Sequence, residues 1–140
     1  MSVTETIDSM FEPAVGMRIG IDIAEENDLQ SLLQNDRAMS RVFTDREIAD
    51  CRSRHQDSST AFARRFAAKE AVAKAVGTIP GHFADIEITH DESGRPKVGW
   101  QHLTDNSLLA DVSLSSTGST AVAIALVLPE NSTAAEKFQI

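Results

Sequence analysis

The chain has 140 residues, 41% of them apolar and 24% charged, which suits one globular domain with a buried core. Its formal net charge of −8 argues against nucleic acid or an anionic membrane as the main partner. No apolar run approaches the roughly 18 residues that a bilayer span needs.

The stretch Met1 to Glu12 carries acidic residues and no basic ones, unlike a signal peptide, so a cytoplasmic setting is expected. The single cysteine, Cys51, cannot form an internal disulfide. His55, His82, His90 and His102 show no metal-ligand spacing. Residues 1–16 lack a period and are expected to form a flexible arm. Met17 to Ala24 alternates as a strand, with Ile19, Ile21 and Ile23 on one face and Gly20, Asp22 and Ala24 on the other. Asp22 therefore shares its face with small residues only, which leaves room for a closely packed helix or for a ligand. The plain alternative is an edge-strand aspartate facing water.

Glu26 to Gln34 reads as a short amphipathic helix with Leu29, Leu32 and Leu33 facing inward. Thr44-Asp-Arg-Glu47 is a capping-box sequence and predicts a helix through about Arg54 that includes Cys51. The polar stretch His55 to Thr60 predicts a loop. Ala61 to Val76 predicts a long helix, capped by Ser58, Ser59 or Thr60 and stopped by a left-handed Gly77. At about 100° per residue, Glu70 falls between Phe66 and Ala67 one turn back and Ala73 and Lys74 one turn on. This helix is apolar on nearly all sides, which predicts burial. A carboxylate there must be paired, hydrogen-bonded or on a metal, because a bare buried charge is too costly. The plain alternative is an ordinary Glu–Lys helix pair, worth a few tenths of a kcal/mol.

Ala84 to Thr89 and Pro96 to Gln101 read as strands joined by the turn Asp91 to Arg95. Leu109 to Ser116 and Thr120 to Leu128 read as a hairpin, turning at Thr117-Gly-Ser119, that forms part of the sheet under the long helix. Residues 129–140 read as a flexible tail, which leaves residues 17–128 as one α+β domain. Residues 37–74 carry nine Lys/Arg against five Asp/Glu, about +4 in a chain of −8. A basic island of this kind points to an anionic ligand, with Arg46, Arg52 and Arg54 read as a solvated helix face.

Four segments, in this order, resemble the small 4′-phosphopantetheinyl transferases of the holo-acyl-carrier-protein synthase type. They are Ile19-Gly-Ile-Asp-Ile23, Arg41-Val-Phe-Thr-Asp-Arg-Glu47, Arg65-Phe-Ala-Ala-Lys-Glu-Ala-Val-Ala-Lys-Ala-Val-Gly77, and Asp85-Ile-Glu-Ile88 with Gly94-Arg-Pro96 leading to Val112-Ser-Leu-Ser115. The resemblance implies an antiparallel sheet packed on a long helix, assembled as a homotrimer with active sites at subunit interfaces. It implies Mg²⁺-dependent transfer of the 4′-phosphopantetheine group of coenzyme A to a serine of an apo acyl carrier protein. The acceptor could equally be a carrier domain of a fatty acid synthase, and adenosine 3′,5′-bisphosphate is released, which places the activity in fatty acid biosynthesis.

By the same resemblance Asp22 and Glu70 match the metal ligands, and Lys74 matches a lysine that reaches the phosphates. These three are the catalytic candidates. Proton abstraction from the carrier serine falls to a carboxylate or metal-bound water. Arg65, Ala73, Gly77 and Pro96 match positions lining the coenzyme A cleft, some of them supplied by a neighbouring subunit.

Two departures stand out. Where the family has a histidine that contacts coenzyme A, this chain has Ser116, followed by Thr117. Either Ser116 merely ends the hairpin, or Ser116 and Thr117 keep a weaker phosphate contact. Where relatives carry basic residues to meet an acidic carrier helix, this chain has Glu25-Glu26-Asn27-Asp28. Docking then runs through Arg37, Arg41 and Arg46, or the carrier is less acidic. The competing readings are a coenzyme-A-binding protein of the same fold without turnover, and a structural trimer.

Overall fold

The computed structural model describes residues 16–77, 83–101 and 108–129. Most of the expected arm and tail, with His82 and His102, lies outside the described residues. Strand β1 (Arg18–Glu25) pairs antiparallel with β5 (Thr120–Pro129), and β5 pairs antiparallel with β4 (Leu108–Thr117), giving the order β1-β5-β4. Gly118, at φ 56°, makes the tight β4–β5 turn. A second, two-stranded sheet pairs β2 (Ile86–His90) with β3 (Pro96–Trp100). Four helices are described: α1 (Gln30–Leu33), α2 (Asp36–Val42), α3 (Asp45–Arg52) and α4 (Ser58–Val76).

Small residues decide how α4 meets the larger sheet. Ala63, Ala67, Ala68, Ala71, Val72 and Ala75 of the helix share one core cluster with Ala24, Ala121, Ala123 and Ala125 of the strands. Gly20 marks the closest approach: a methyl added there would sit 1.9 Å from the Ala71 carbonyl oxygen, so no side chain fits. The permissive face around Asp22 is thus filled in part by a helix, as one reading of the alternation allowed. A second cluster of Met39, Phe43, Cys51, Ala61 and Phe62 joins α2 and α3 to the start of α4, with the Phe43 and Phe62 ring centroids 5.1 Å apart.

The local signals explain most element boundaries. The capping box before α3 makes both of its bonds, Glu47 N–H to Thr44 Oγ1 at 3.2 Å and Thr44 N–H to Glu47 Oε1 at 2.9 Å. Gly77 closes α4 at φ 93°. Two expectations need correction, and one helix lies where no element was expected. The helix expected over Glu26–Gln34 is a 3₁₀ turn (Glu26–Leu29) followed by the single turn of α1. Helix α2 was not anticipated, although Asn35 caps it by accepting from the Ala38 N–H at 3.1 Å. Helix α4 begins at Ser58, so Ser58, Ser59 and Thr60 lie inside its first turn and none of them caps it. Thr60 instead donates to Glu26 Oε1, tying the helix start to the 3₁₀ turn that follows β1.

Among the described residues, the other face of the larger sheet is left exposed. Ile19, Ile21 and Ile23 are 69%, 54% and 64% exposed, and Ile124 is 48% exposed. Register places Ile19 opposite Leu126, Ile21 opposite Ile124 and Ile23 opposite Val122. These residues form one continuous apolar surface across two strands.

Candidate active site

Asp22 projects from β1 toward α4, where Lys74 donates to Asp22 Oδ1 at 2.8 Å and to the Ile21 carbonyl at 3.1 Å. Glu70 sits one helical turn before Lys74 and is half-buried. Burial first, and then the charge of Asp22, push the Glu70 carboxyl above its ordinary pKa, against a smaller opposite pull from Lys74. The ammonium of Lys74 is raised by its hydrogen bond to Asp22 and by that carboxylate's charge. The helix is therefore not buried all round: Phe66, Glu70, Ala73 and Lys74 form its open side.

Two carboxylates close enough to repel each other, one of them neutralised by a flexible lysine, suit a hard divalent cation. Mg²⁺ takes only one or two protein carboxylates and completes its shell with water and substrate phosphates. Among the described residues no group of three or more His, Cys, Asp or Glu side chains forms a fuller cage. The donor set of Asp22 and Glu70 thus fits Mg²⁺.

Arg65 goes elsewhere. Its side chain is 3% exposed and ion-pairs with Asp50, while Nε donates to the Ile88 carbonyl at 3.3 Å and a terminal nitrogen lies 3.2 Å from Cys51 Sγ. Burial pushes the Cys51 thiol up to about 11, so it is an inert core residue. Residue Lys69 is also buried, an environment that its place in the sequence pattern had not revealed. It ion-pairs with Glu47 at 2.5 Å, both side chains fully buried, and donates to the Val42 and Phe83 carbonyls at 2.8 and 3.1 Å. Glu47 in turn accepts from the Ile88 N–H at 3.1 Å. This network fastens α4 to α3 and β2 and sets the rotation of the helix that presents Glu70 and Lys74. Its one sequence signal was the capping box, which placed Glu47 in the first turn of α3 but not in the interior.

A second region lies along β4. A groove of about 590 Å³ is lined by Arg64, His90, Arg95, Pro96, Asp111 and Ser113, among others. Arg95 is ion-paired with Asp111 at 2.9 Å. Arg64 reaches Ser116, donating from Nε at 2.9 Å and from a terminal nitrogen. Pro96 and Ser116, with Thr117 beside it, are thus gathered here, whereas Asp22, Glu70, Lys74, Ala73 and Gly77 belong to the other region. The strand order puts β1 and β4 at opposite edges with β5 between them. The groove reaches Ile124 and Leu126 of β5, while Asp111 and Ser113 of its lining lie on β4, two strand spacings or roughly 10 Å from β1.

On α2, Arg37 and Arg41 are exposed one turn apart, while Arg46 pairs with Glu87 at 3.7 Å. Arg52 and Arg54 pair with Asp36 and Asp50 on the surface, as a solvated face would.

The chain is similar to known proteins over most of its length. Residues 18–127 match the model of the 4′-phosphopantetheinyl transferase superfamily. The chain is 36% identical over 118 residues to the holo-[acyl-carrier-protein] synthase of Chlorobaculum parvum, covering 81% of this chain and 99% of that one. It is 38% identical over 117 residues to the enzyme of the same name from Caldicellulosiruptor saccharolyticus, covering 80% and 94%. Its fold superposes with a TM-score of 0.66 on the holo-(acyl-carrier-protein) synthase of Bacillus anthracis, solved in complex with CoA (3′,5′-ADP). That pair is 35% identical over 79% of this chain and 94% of the other. With a family model matched over residues 18–127 and relatives matched over most of its length, this chain belongs to the 4′-phosphopantetheinyl transferase superfamily.

Proposed function

We propose that this protein is a holo-acyl-carrier-protein synthase that transfers the 4′-phosphopantetheine group of coenzyme A to a serine of an apo acyl carrier protein. The observation that carries this reading is the convergence of Asp22, Glu70 and Lys74 at one end of α4, in a chain related over most of its length to enzymes of that name. In the reaction the serine oxygen forms a bond to the β-phosphorus of coenzyme A and the pyrophosphate bridge breaks. Adenosine 3′,5′-bisphosphate leaves and the serine gives up its proton. Such a transfer needs positioning and charge stabilisation more than covalent help from the protein.

Asp22 and Glu70 would hold Mg²⁺, whose chemistry when bound is to neutralise charge on the pyrophosphate. Lys74 stays protonated beside Asp22, exposed and on a flexible stem, so its ammonium can meet a phosphate oxygen entering the site. The Lys69–Glu47 network holds the helix that carries both Glu70 and Lys74.

The reading includes a homotrimer. The uncovered isoleucine face is the kind of patch that a subunit interface covers. A ligand reaching both the carboxylates and the β4 groove is served more directly by two copies than by one. The exposed Arg37 and Arg41 supply the cationic surface for an acidic carrier that Glu25, Glu26 and Asp28 deny to the neighbouring turn. The reading also includes a cytoplasmic setting.

Mass spectrometry of several apo carriers incubated with the protein, coenzyme A and Mg²⁺ tests the proposal. A gain of the phosphopantetheine mass is expected with wild type and not with Glu70→Gln, whose fold should be unchanged. Coenzyme A binding without transfer to any carrier would favour a binding protein instead. Near-wild-type transfer by Glu70→Gln would remove Glu70 from the mechanism.

A further inference from the structure

We propose that Lys74 competes with the metal for Asp22: it holds the carboxylate as an internal counter-ion and must leave before Asp22 can ligate a divalent cation. This rests on the reading above that Asp22 and Glu70 are the metal ligands. Lys74 Nζ sits between two acceptors of β1, Asp22 Oδ1 at 2.8 Å and the Ile21 carbonyl at 3.1 Å. The side chain of Asp22 is 14% exposed and that of Lys74 is 54% exposed, so the lysine is the outer partner of the pair.

The two lysines of α4 are held in opposite ways. Lys69 is fully buried, paired with Glu47 and donating to the Val42, Phe83 and Ile86 carbonyls, so its ammonium has no path to solvent. Lys74, five residues on, has a flexible four-carbon stem that is more than half exposed. Its ammonium can exchange one partner for another without opening the core. The strand beneath it cannot give way toward the helix, because Gly20 is already pressed against the Ala71 carbonyl. Strand and helix are thus fixed, and the lysine is the part that moves.

A carboxylate presents the same lone pairs to an ammonium and to a divalent cation. Two cations on one carboxylate repel each other, and the weaker, singly charged one is here on the movable stem. Release from Asp22 leaves the Lys74 ammonium free for a phosphate oxygen. Displacing Lys74 therefore weakens metal binding when no phosphate is present. A phosphate that draws Lys74 away strengthens metal binding, and the metal strengthens phosphate binding by the same factor. Through this one lysine, loading of the metal and loading of the donor favour each other.

Nuclear magnetic resonance on the full chain without coenzyme A tests this, with Mg²⁺ alone as the probe and the amide shifts of β1 and α4 reporting its affinity. Lys74→Met keeps an unbranched apolar stem and removes the charge, and its amide spectrum checks that it folds. The variant should bind Mg²⁺ about threefold or more tightly than wild type, the scale of a partly exposed ion pair. Its transfer to an apo carrier should fall all the same. In wild type the Lys74 ammonium should show a scalar coupling to the Ile21 carbonyl carbon across their hydrogen bond, and Mg²⁺ should abolish it. A smaller gain in Mg²⁺ affinity, or a loss, overturns the proposal. So does a coupling that is absent without metal or survives saturation, which would leave only a general effect of charge. If wild type binds Mg²⁺ at these residues and the variant binds it no better, only this inference fails. If neither chain binds Mg²⁺ there, the metal site proposed above fails with it.

Discussion

Lys69 and Glu70 are adjacent in sequence and meet opposite environments, because one step along a helix turns the side chain by about 100°. Lys69 is driven into the interior against Glu47 and three carbonyls, and Glu70 faces the open side with Asp22. Burial lowers the Lys69 pKa and Glu47 opposes that shift, so the charge persists only because its partner is there. Glu47→Gln should cost about 3–5 kcal/mol, since it leaves an ammonium buried without its carboxylate. A lower urea midpoint at unchanged slope would show it, and pairing the change with Lys69→Met should recover a large part. A single variant as stable as wild type would contradict this account. Glu70 was legible as a carboxylate in need of a partner because it stands alone in an apolar helix. The burial of Lys69 was not, because that depends on carbonyls at Val42, Phe83 and Ile86, which the sequence does not bring near.

At the scale of elements, the approach of β1 to α4 positions the two carboxylates. Gly20 permits it, since its missing methyl would overlap the Ala71 carbonyl. Gly20→Ala should push the strand off the helix and carry Asp22 away from Glu70. Turnover should fall by more than about tenfold, with a stability loss on the order of 1–3 kcal/mol, as overpacking elsewhere costs. Parallel activity and denaturation measurements check it, and unaltered turnover would show that the strand's position is not critical. The strand was readable from its alternation and the long helix from its length and Gly77. The seven-residue α2 and the one-turn α1 were not, because so few residues carry too little periodic signal.

At the scale of the whole molecule, the described residues leave an apolar sheet face exposed and put Asp22 and the polar end of β4 on opposite edge strands. If that face joins three copies, Ile124→Asp should convert the trimer to monomer and abolish transfer while each chain stays folded. Light scattering with size exclusion reads the first outcome and the mass assay the second. A monomeric variant with full activity would exclude composite sites. Carrier docking belongs to this scale too. Arg41→Glu should slow transfer to a free acidic carrier severalfold or more at low salt, with the difference shrinking as salt screens the charges. An unchanged rate at low salt would rule out docking through that arginine.

Local pattern alone determined the strand faces around Asp22, the capping box at Thr44 and Glu47, the glycine stop at Gly77 and the order of motifs that marks the superfamily. Those are short-range properties, set by dihedral preference and by residues a turn or less apart. Tertiary structure decided which cations of the basic island face solvent. It buried Lys69 and Arg65, placed Arg64 on Ser116, and put the acidic and basic regions on different edges. Each of these outcomes rests on partners distant in sequence: Lys69 meets Glu47 across 22 positions and Arg64 meets Ser116 across 52. No local propensity encodes such distances, and only the packing of α3 and of the sheet against α4 brings the partners together.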